Sequence, residues 1–517
     1  MADPIVEIRN GKIRGALDQS VYSFKGIPYG GPTSGAGRFK PPVPAAPWTE
    51  VRDALSYGPS CPQPGGPVLN MTPEISAVFD RDETPPQNEN CLYLNVWTAG
   101  LNDGGHRPVM VWIHGGAFFV GSGSGKLYAG DALVRKGDVV VVTVNHRLGP
   151  LGYLHLGDLA GEEFAASGNV GMLDLILALE WVRDNIALFG GDPHNVTLFG
   201  ESGGGAKISV LLAMPAAQGL FHKAVIQSGP GLYMHDREAA TATARQLLNR
   251  INLNPQRMAE IQQAPVERLL AAQAAAARRD GFFMLKPVVD GTLLPHRPFD
   301  PIAPAISAHI PLLIGTTKDE MNLFLGKVPL LGTFGGPRWP GQIALEISSR
   351  AVLGPEAGPR VLQTYRYTRP QAAPHEIFCA VVTDWAIRIG SIRIAERKAA
   401  AGSAPVYMYL FGWESPYLNG RLKSHHALEI PFVFNHINVT PSMTGRRPEC
   451  YPLAEKMSAA WIAFARSGNP NHPDLPFWPA YTLKERATML FNTDCRVQND
   501  PDREERLAWT GLKLQAM

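Results

Sequence analysis

A chain of 517 residues that is 45% hydrophobic and 18% charged can bury a large core, which sets it apart from disordered proteins. Its 48 basic and 46 acidic side chains leave a formal charge of +2, and the basic residues are scattered. That pattern argues against nucleic acid or an anionic membrane as a partner. The five cysteines show no Cys-x-x-Cys spacing and no His-Glu-x-x-His occurs, so no metal site is expected.

The N-terminus, Met1 to Arg9, lacks a basic head followed by an apolar stretch, and no uncharged apolar run reaches the ~18 residues that span a bilayer. The nearest candidate, Ile208 to Phe221, is too short and carries Pro215. The expectation is a soluble, cytoplasmic protein. Val6–Ile8 and Lys12–Arg14 alternate around Asn10-Gly11, which predicts a hairpin. Residues 58–87 are rich in Pro and Gly and read as a long surface loop.

From residue 109 the character changes. Val109–Ile113 and Val139–Val144 are unbroken apolar runs, the mark of parallel strands covered on both faces. Between Asp174 and Leu188, Leu175, Leu179, Val182 and Ile186 define one helical face, and Gly190-Gly191-Asp192-Pro193 ends it. Further strands are predicted at Val196–Phe199, Ala224–Gln227, Pro311–Gly315, Val406–Phe411 and Thr488–Phe491. Such alternation predicts an α/β fold with a mostly parallel sheet. The alanine-rich segment 259–279 and the stretch 321–400 read as helical insertions. With no internal repeat or dividing linker, 1–517 reads as one domain, its insertions at about 230–290 and 321–400.

The chemistry centres on Gly200-Glu201-Ser202-Gly203-Gly204, placed between the run Val196–Phe199 and a helix. A strand, a sharp turn and a helix push a serine hydroxyl out as a nucleophile. With 52 glycines in the chain, chance supplies roughly 0.2 such matches, so the motif needs partners to carry weight. A serine needs an imidazole to take its proton, and the imidazole needs a carboxylate. In α/β-hydrolases these follow in the order Ser, acid, His, each after a later strand. Asp319 and Glu320 follow one such strand, and His425 and His426 follow another. The oxyanion needs backbone N–H donors, and His114-Gly115-Gly116-Ala117-Phe118 after Val109–Ile113 supplies a glycine-rich turn, with Gly203 as a further donor. Gly121–Lys126 lacks the spacing of a phosphate loop, so no nucleotide site is expected.

Longer stretches strengthen the case. They include Phe24-Lys-Gly-Ile-Pro-Tyr29, Cys91-Leu-Tyr-Leu-Asn-Val-Trp97, Trp112-Ile-His-Gly-Gly-Ala-Phe118, Asn145-His-Arg-Leu-Gly149 and Gly168-Asn-Val-Gly-Met-Leu-Asp174. Together with Phe189–Gly204 they make the chain resemble the type B carboxylesterase family, which holds bacterial p-nitrobenzyl esterases and cholinesterases. The resemblance implies an α/β-hydrolase fold and hydrolysis of neutral small-molecule esters through an acyl-enzyme, without a cofactor. It selects Glu320 over Asp319 and His426 over His425, beside Ser202, with Gly116, Ala117 and Gly203 as oxyanion donors. Ser228 corresponds to a serine near the acid and the histidine, with helix capping an equal alternative.

Other implications concern structure and range. The family pattern implies a salt bridge between Arg38 and Glu89 and places a disulfide at Cys61 and Cys91, which the absent secretory signal leaves open. Gly203 stands where the family has Ala, and Asn90 where it has Asp. The Gly-Gly-Ala turn resembles relatives that accept bulky, even tertiary, alcohols. Rival readings are a non-catalytic adhesion protein of the same fold, and a site turned to amides, carbamates or acyl transfer.

Overall fold

Apolar runs without alternation need cover on both faces, and a central sheet gives it to them. The computed structural model describes residues 3–64, 86–280, 284–325, 346, 349–350, 353–512 and 514. In chain order the strands are β1 (Ile5–Ile8), β2 (Gly11–Arg14), β3 (Ala16–Asp18), β4 (Val21–Pro28) and β5 (Arg52–Asp53). There follow β6 (Tyr93–Thr98), β7 (Arg107–Ile113), β8 (Val140–Val144), β9 (Gly191–Glu201), β10 (Lys223–Gln227) and β11 (His235–Asp236). The last are β12 (Val288–Val289), β13 (Leu312–Thr317), β14 (Val406–Phe411), β15 (Ala487–Phe491) and β16 (Arg496–Asn499).

Eleven of them form one sheet in the order β16-β15-β14-β13-β10-β9-β7-β8-β6-β4-β3. Its centre, from β8 to β15, is parallel, and antiparallel strands close both ends. This is the α/β-hydrolase fold, as the apolar runs and the resemblance imply. The predicted hairpin is β1 with β2, outside the large sheet and extended by β5.

Alternate residues of β7 face opposite layers. Val109, Val111 and Ile113 share a core with Leu175, Leu179 and Val182 of the helix Val170–Asn185. Met110 and Trp112 share the other with Met457, Trp461 and Phe464 of the helix Cys450–Ser467. The stretch Glu162–Phe189 has the length of a membrane helix and holds an 18-residue window apolar enough for one, but 78% of that window is buried, as in a core helix.

The alanine-rich segment is helical, in two pieces: Met258–Gln263 and Val266–Asp280 are separated at Ala264-Pro265, where proline has no N–H to continue the first. One expectation changes in detail. The described start of the predicted surface loop is buried at Ser60, Cys61 and Gln63, because Gln63 bonds both backbone groups of Gly121. Residues 65–85 of that loop and 326–345 of the second insertion lie outside the described residues. Elsewhere the insertions carry the helices Arg237–Arg250, Ala357–Thr368, Pro374–Thr383 and Ile389–Ala401, with the short parallel pair of β11 and β12 beside them.

Buried polar contacts explain several of the longer motifs. Arg147 meets Asp174 through Nε–Oδ2 at 2.8 Å and Nη2–Oδ1 at 2.6 Å, joining the stretch after β8 to the core helix. Arg38 pairs with Glu89 at 2.5 and 2.7 Å, as the resemblance implies, and also donates to the carbonyls of Ile261 and Ala264. Cys61 and Cys91 are both buried free thiols, so the bridge left open is not formed.

Candidate active site

The chain leaves β7 for β8 on one side and returns to β9 on the other, so β7 and β9 are neighbours at a switch in winding direction. Open α/β sheets place their sites at such points, beyond the C-terminal ends of the strands. Ile113 pairs with Gly200 in register, so the turn after β7 and the turn after β9 emerge side by side.

Ser202 occupies the second of these turns with φ +54° and ψ −121°, a conformation unfavourable for a side-chain-bearing residue. Its flanking glycines make that possible. A Cβ on Gly200 would lie 2.6 Å from the Ile113 carbonyl oxygen, and one on Gly204 would lie 1.9 Å from it. The Ser202 N–H is held by the Gln227 carbonyl at 2.8 Å, and its own carbonyl accepts from Ala206 in the helix Gly203–Leu211.

Glu320 lies in the turn after β13, wholly buried, with Oε1 accepting from the Thr317 N–H at 2.8 Å. His426 follows β14, and its Nδ1 is 2.6 Å from Glu320 Oε2. The two neighbours that compete with them in the sequence point elsewhere. Asp319 accepts from the Ser424 N–H, and His425 directs Nδ1 at the His426 carbonyl. Burial lowers the His425 pKa to about 4.

On the other edge of His426, Glu201 Oε1 is 3.0 Å from Nε2. The contact is lateral: Oε1 lies off the ring N–H direction and accepts no hydrogen bond, so Nε2 is paired in charge and unspent as a donor. Among the described residues the Ser202 hydroxyl makes no hydrogen bond either. Burial opposes a charged imidazole, yet the Glu201 and Glu320 carboxylates outweigh it and carry the His426 pKa upward. Burial likewise raises the Glu201 carboxyl, with His426 acting against it. Glu429 stands behind them, its Oε1 accepting from Gln227, which in turn accepts from the Trp461 indole. Phe324 packs its ring 5.2 Å from that of His426.

The turn after β7 crosses Ser202. A Cβ on Gly115 would stand 3.4 Å from Ser202 Cβ, and one on Gly203 only 2.5 Å from the Ala117 nitrogen. Peptide planarity sets each N–H opposite the preceding carbonyl. The Gly115 carbonyl bonds His114 Nδ1, and the Gly116 carbonyl accepts from Phe119 and Val120. Among the described residues the N–H groups of Gly116, Ala117 and Gly203 have no acceptor.

Ser228 is buried just after β10, and its Oγ has no partner among the described residues. No helix begins there, so capping is not its role. The sequence reading gave no part to Glu201, Phe324 or Lys207. Glu201 lay in view beside Ser202, whereas nothing local marks the other two.

The family profile described as the Carboxylesterase family matches residues 2–509. The para-nitrobenzyl esterase of Bacillus subtilis (strain 168) is 39% identical, with 98% of each chain covered. The phenmedipham hydrolase of Pseudarthrobacter oxydans is 34% identical over 94% of each. A crystal structure of a Geobacillus stearothermophilus carboxylesterase superimposes with a TM-score of 0.85 at 40% identity, covering 98% of this chain and all of that one.

Proposed function

The chain belongs to the carboxylesterase family and hydrolyses carboxylic esters, and from that premise we propose that Ser202, His426 and Glu320 are its catalytic triad. The observation that carries the reading is the buried Glu320–His426 contact, whose imidazole also meets Glu201, the chain neighbour of a strained, unbonded Ser202. Nε2 exchanges its lateral contact with Glu201 for the hydroxyl of Ser202, the next residue in the chain, and takes its proton. Such bonds are often loose in a resting site and tighten with substrate present.

Ser202 Oγ then attacks the ester carbonyl carbon, and the carbonyl oxygen becomes the oxyanion. Gly116, Ala117 and Gly203 meet that charge with preset N–H donors. His426 passes its proton to the leaving alcohol. Water enters, gives a proton to Nε2 as its oxygen bonds the acyl carbon, and the acid leaves as Ser202 Oγ takes that proton back. Glu320 holds the tautomer with Nδ1 protonated throughout. The substrates are neutral small-molecule esters, and the likeness of the Gly-Gly-Ala turn to that of relatives that accept bulky alcohols supports bulky alcohol groups among them.

A fluorophosphonate probe tests this reading directly. It should add to Ser202 in a one-to-one ratio as turnover disappears, with the adduct located by peptide mass spectrometry. Labelling elsewhere, or full activity with Ser202 modified, would overturn it. Ser202→Ala should lower kcat by roughly 10⁴-fold or more while leaving the fold intact.

A further inference from the structure

Lys207 is a charged residue in the apolar helix that follows the nucleophile, and it is wholly buried. Its Nζ donates to the Ala117 carbonyl at 2.8 Å and to the His114 carbonyl at 3.2 Å, and it lies 5.5 Å from the centre of the Phe118 ring. A lysine enclosed without a hydrogen-bonded carboxylate is costly to keep, so an apolar residue would suit a purely packing role better.

The two carbonyls it holds belong to the ends of the oxyanion turn. Between them, the Gly115 and Gly116 carbonyls are taken by His114 Nδ1 and by the Phe119 and Val120 N–H groups. Every carbonyl from His114 to Ala117 is therefore anchored, and the N–H groups of Gly116 and Ala117 face the other way. One helical turn before Lys207, Gly203 makes room for this arrangement. A Cβ there would stand 2.2 Å from the Ala117 oxygen and 2.5 Å from its nitrogen and Cα.

We propose that Lys207 is a positioning residue of the reaction: it clamps both ends of the Gly-Gly-Ala turn through their carbonyls, with Gly203 as the cleared seat, so that the oxyanion donors are preset. The inference rests on the triad and oxyanion reading above. Burial pulls the lysine pKa down to about 7 against the opposing pull of Glu201. The amine keeps at least two N–H donors in either protonation state, so the clamp does not depend on the charge.

The test compares Lys207→Met and Lys207→Gln with the natural enzyme, using a p-nitrophenyl ester and an aryl trifluoromethyl ketone. Ser202 adds to the ketone carbonyl, its proton passes to His426, and the former carbonyl oxygen becomes an oxyanion in the donor turn. In Lys207→Met, kcat should fall about 10- to 100-fold with KM within about twofold, and the ketone inhibition constant should rise by a matching factor. Lys207→Gln, which brings a neutral two-donor amide, should recover much of both.

A Met variant whose kcat and ketone affinity stay within about twofold overturns the proposal, as does one that weakens the ketone and a non-covalent substrate analogue equally. Should the Met variant fail to fold, Lys207→Ser answers in its place. Its hydroxyl is too short to reach the carbonyls of His114 and Ala117, so the ketone should weaken similarly, and unchanged ketone affinity again overturns the clamp. A natural enzyme that takes no ketone on Ser202 counts against the triad reading and not against this one.

Discussion

Arg147 and Asp174 exchange three hydrogen bonds of 2.6, 2.8 and 2.9 Å, and a further guanidinium N–H reaches the Lys40 carbonyl at 2.8 Å. One cation meets one anion, and the lone pairs and protons of both are largely used. Around His426 the count is uneven. Glu201, Glu320 and Glu429 surround one imidazole, and Glu201 Oε1, Glu429 Oε2 and Ser228 Oγ have no hydrogen-bond partner among the described residues. Both groups are equally enclosed, so burial does not separate them. A saturated pair has nothing left to exchange and serves the fold. An unsaturated cluster, in which the pKa values of His426, Glu201 and Glu429 are raised, keeps capacity to move a proton.

Glu320→Gln gives the sharpest test of the second half. Glutamine fills the same space but favours the wrong imidazole tautomer, so kcat should fall by roughly 10⁴-fold with little change in unfolding temperature. Ester turnover measured beside a thermal melt decides it. A variant with near-natural turnover would make the 2.6 Å contact a structural bond like that of Arg147.

Asp174→Asn probes the first half and should fail in the opposite way. Breaking a buried ion pair strands the remaining charge and costs about 3–5 kcal/mol. Denaturant unfolding should show that loss, while kcat per folded molecule stays near the natural value. A large fall in kcat with stability intact would erase the distinction between the clusters.

Glu201→Gln acts on the excess charge. The carboxylates raise the His426 pKa above its ordinary 6.5, so the neutral imidazole that the proposed attack needs accumulates only as pH rises. Removing one carboxylate favours the neutral imidazole. The acid limb of kcat/KM should therefore move to lower pH, and activity near pH 6 should rise relative to the plateau. An unmoved limb would show that the 3.0 Å contact with Glu201 does not govern the imidazole.

These contacts differ in how visible they are in the sequence. The turn at Ser202 is legible because Gly200 and Gly204 press against the Ile113 carbonyl, and that demand writes glycine into a short motif. The strands are legible because burial on two faces leaves unbroken apolar runs. Choosing between Asp319 and Glu320, or His425 and His426, is beyond local pattern: adjacent residues in a turn point in opposite directions, and only the family resemblance discriminates. Lys207 escapes notice since its partners, His114 and Ala117, lie about ninety positions away in the chain. The burial of residues 60–63 is hidden for the same reason, because proline and glycine near a site serve a tight path as readily as an exposed one.

Asn90 offers the mildest test, at a site of the saturated kind. Its Oδ1 accepts from the Thr33 N–H at 2.9 Å and the Ser34 N–H at 3.1 Å, tying the loop after β4 to the segment that enters β6. Asn90→Ala removes the acceptor from two N–H groups that are only partly enclosed, so water can reach them, and the cost should be about 1 kcal/mol. Asn90→Asp keeps the acceptor and adds charge to it, which strengthens bonds to N–H donors. The neighbouring Glu89 opposes that gain, although Arg38 neutralises it at 2.5 Å. The aspartate variant should therefore melt at or slightly above the natural temperature and the alanine variant below it, with kcat unchanged in both. If alanine and aspartate destabilise alike, the two N–H bonds are not what holds this loop, and satisfied acceptors cease to mark the structural half of the molecule.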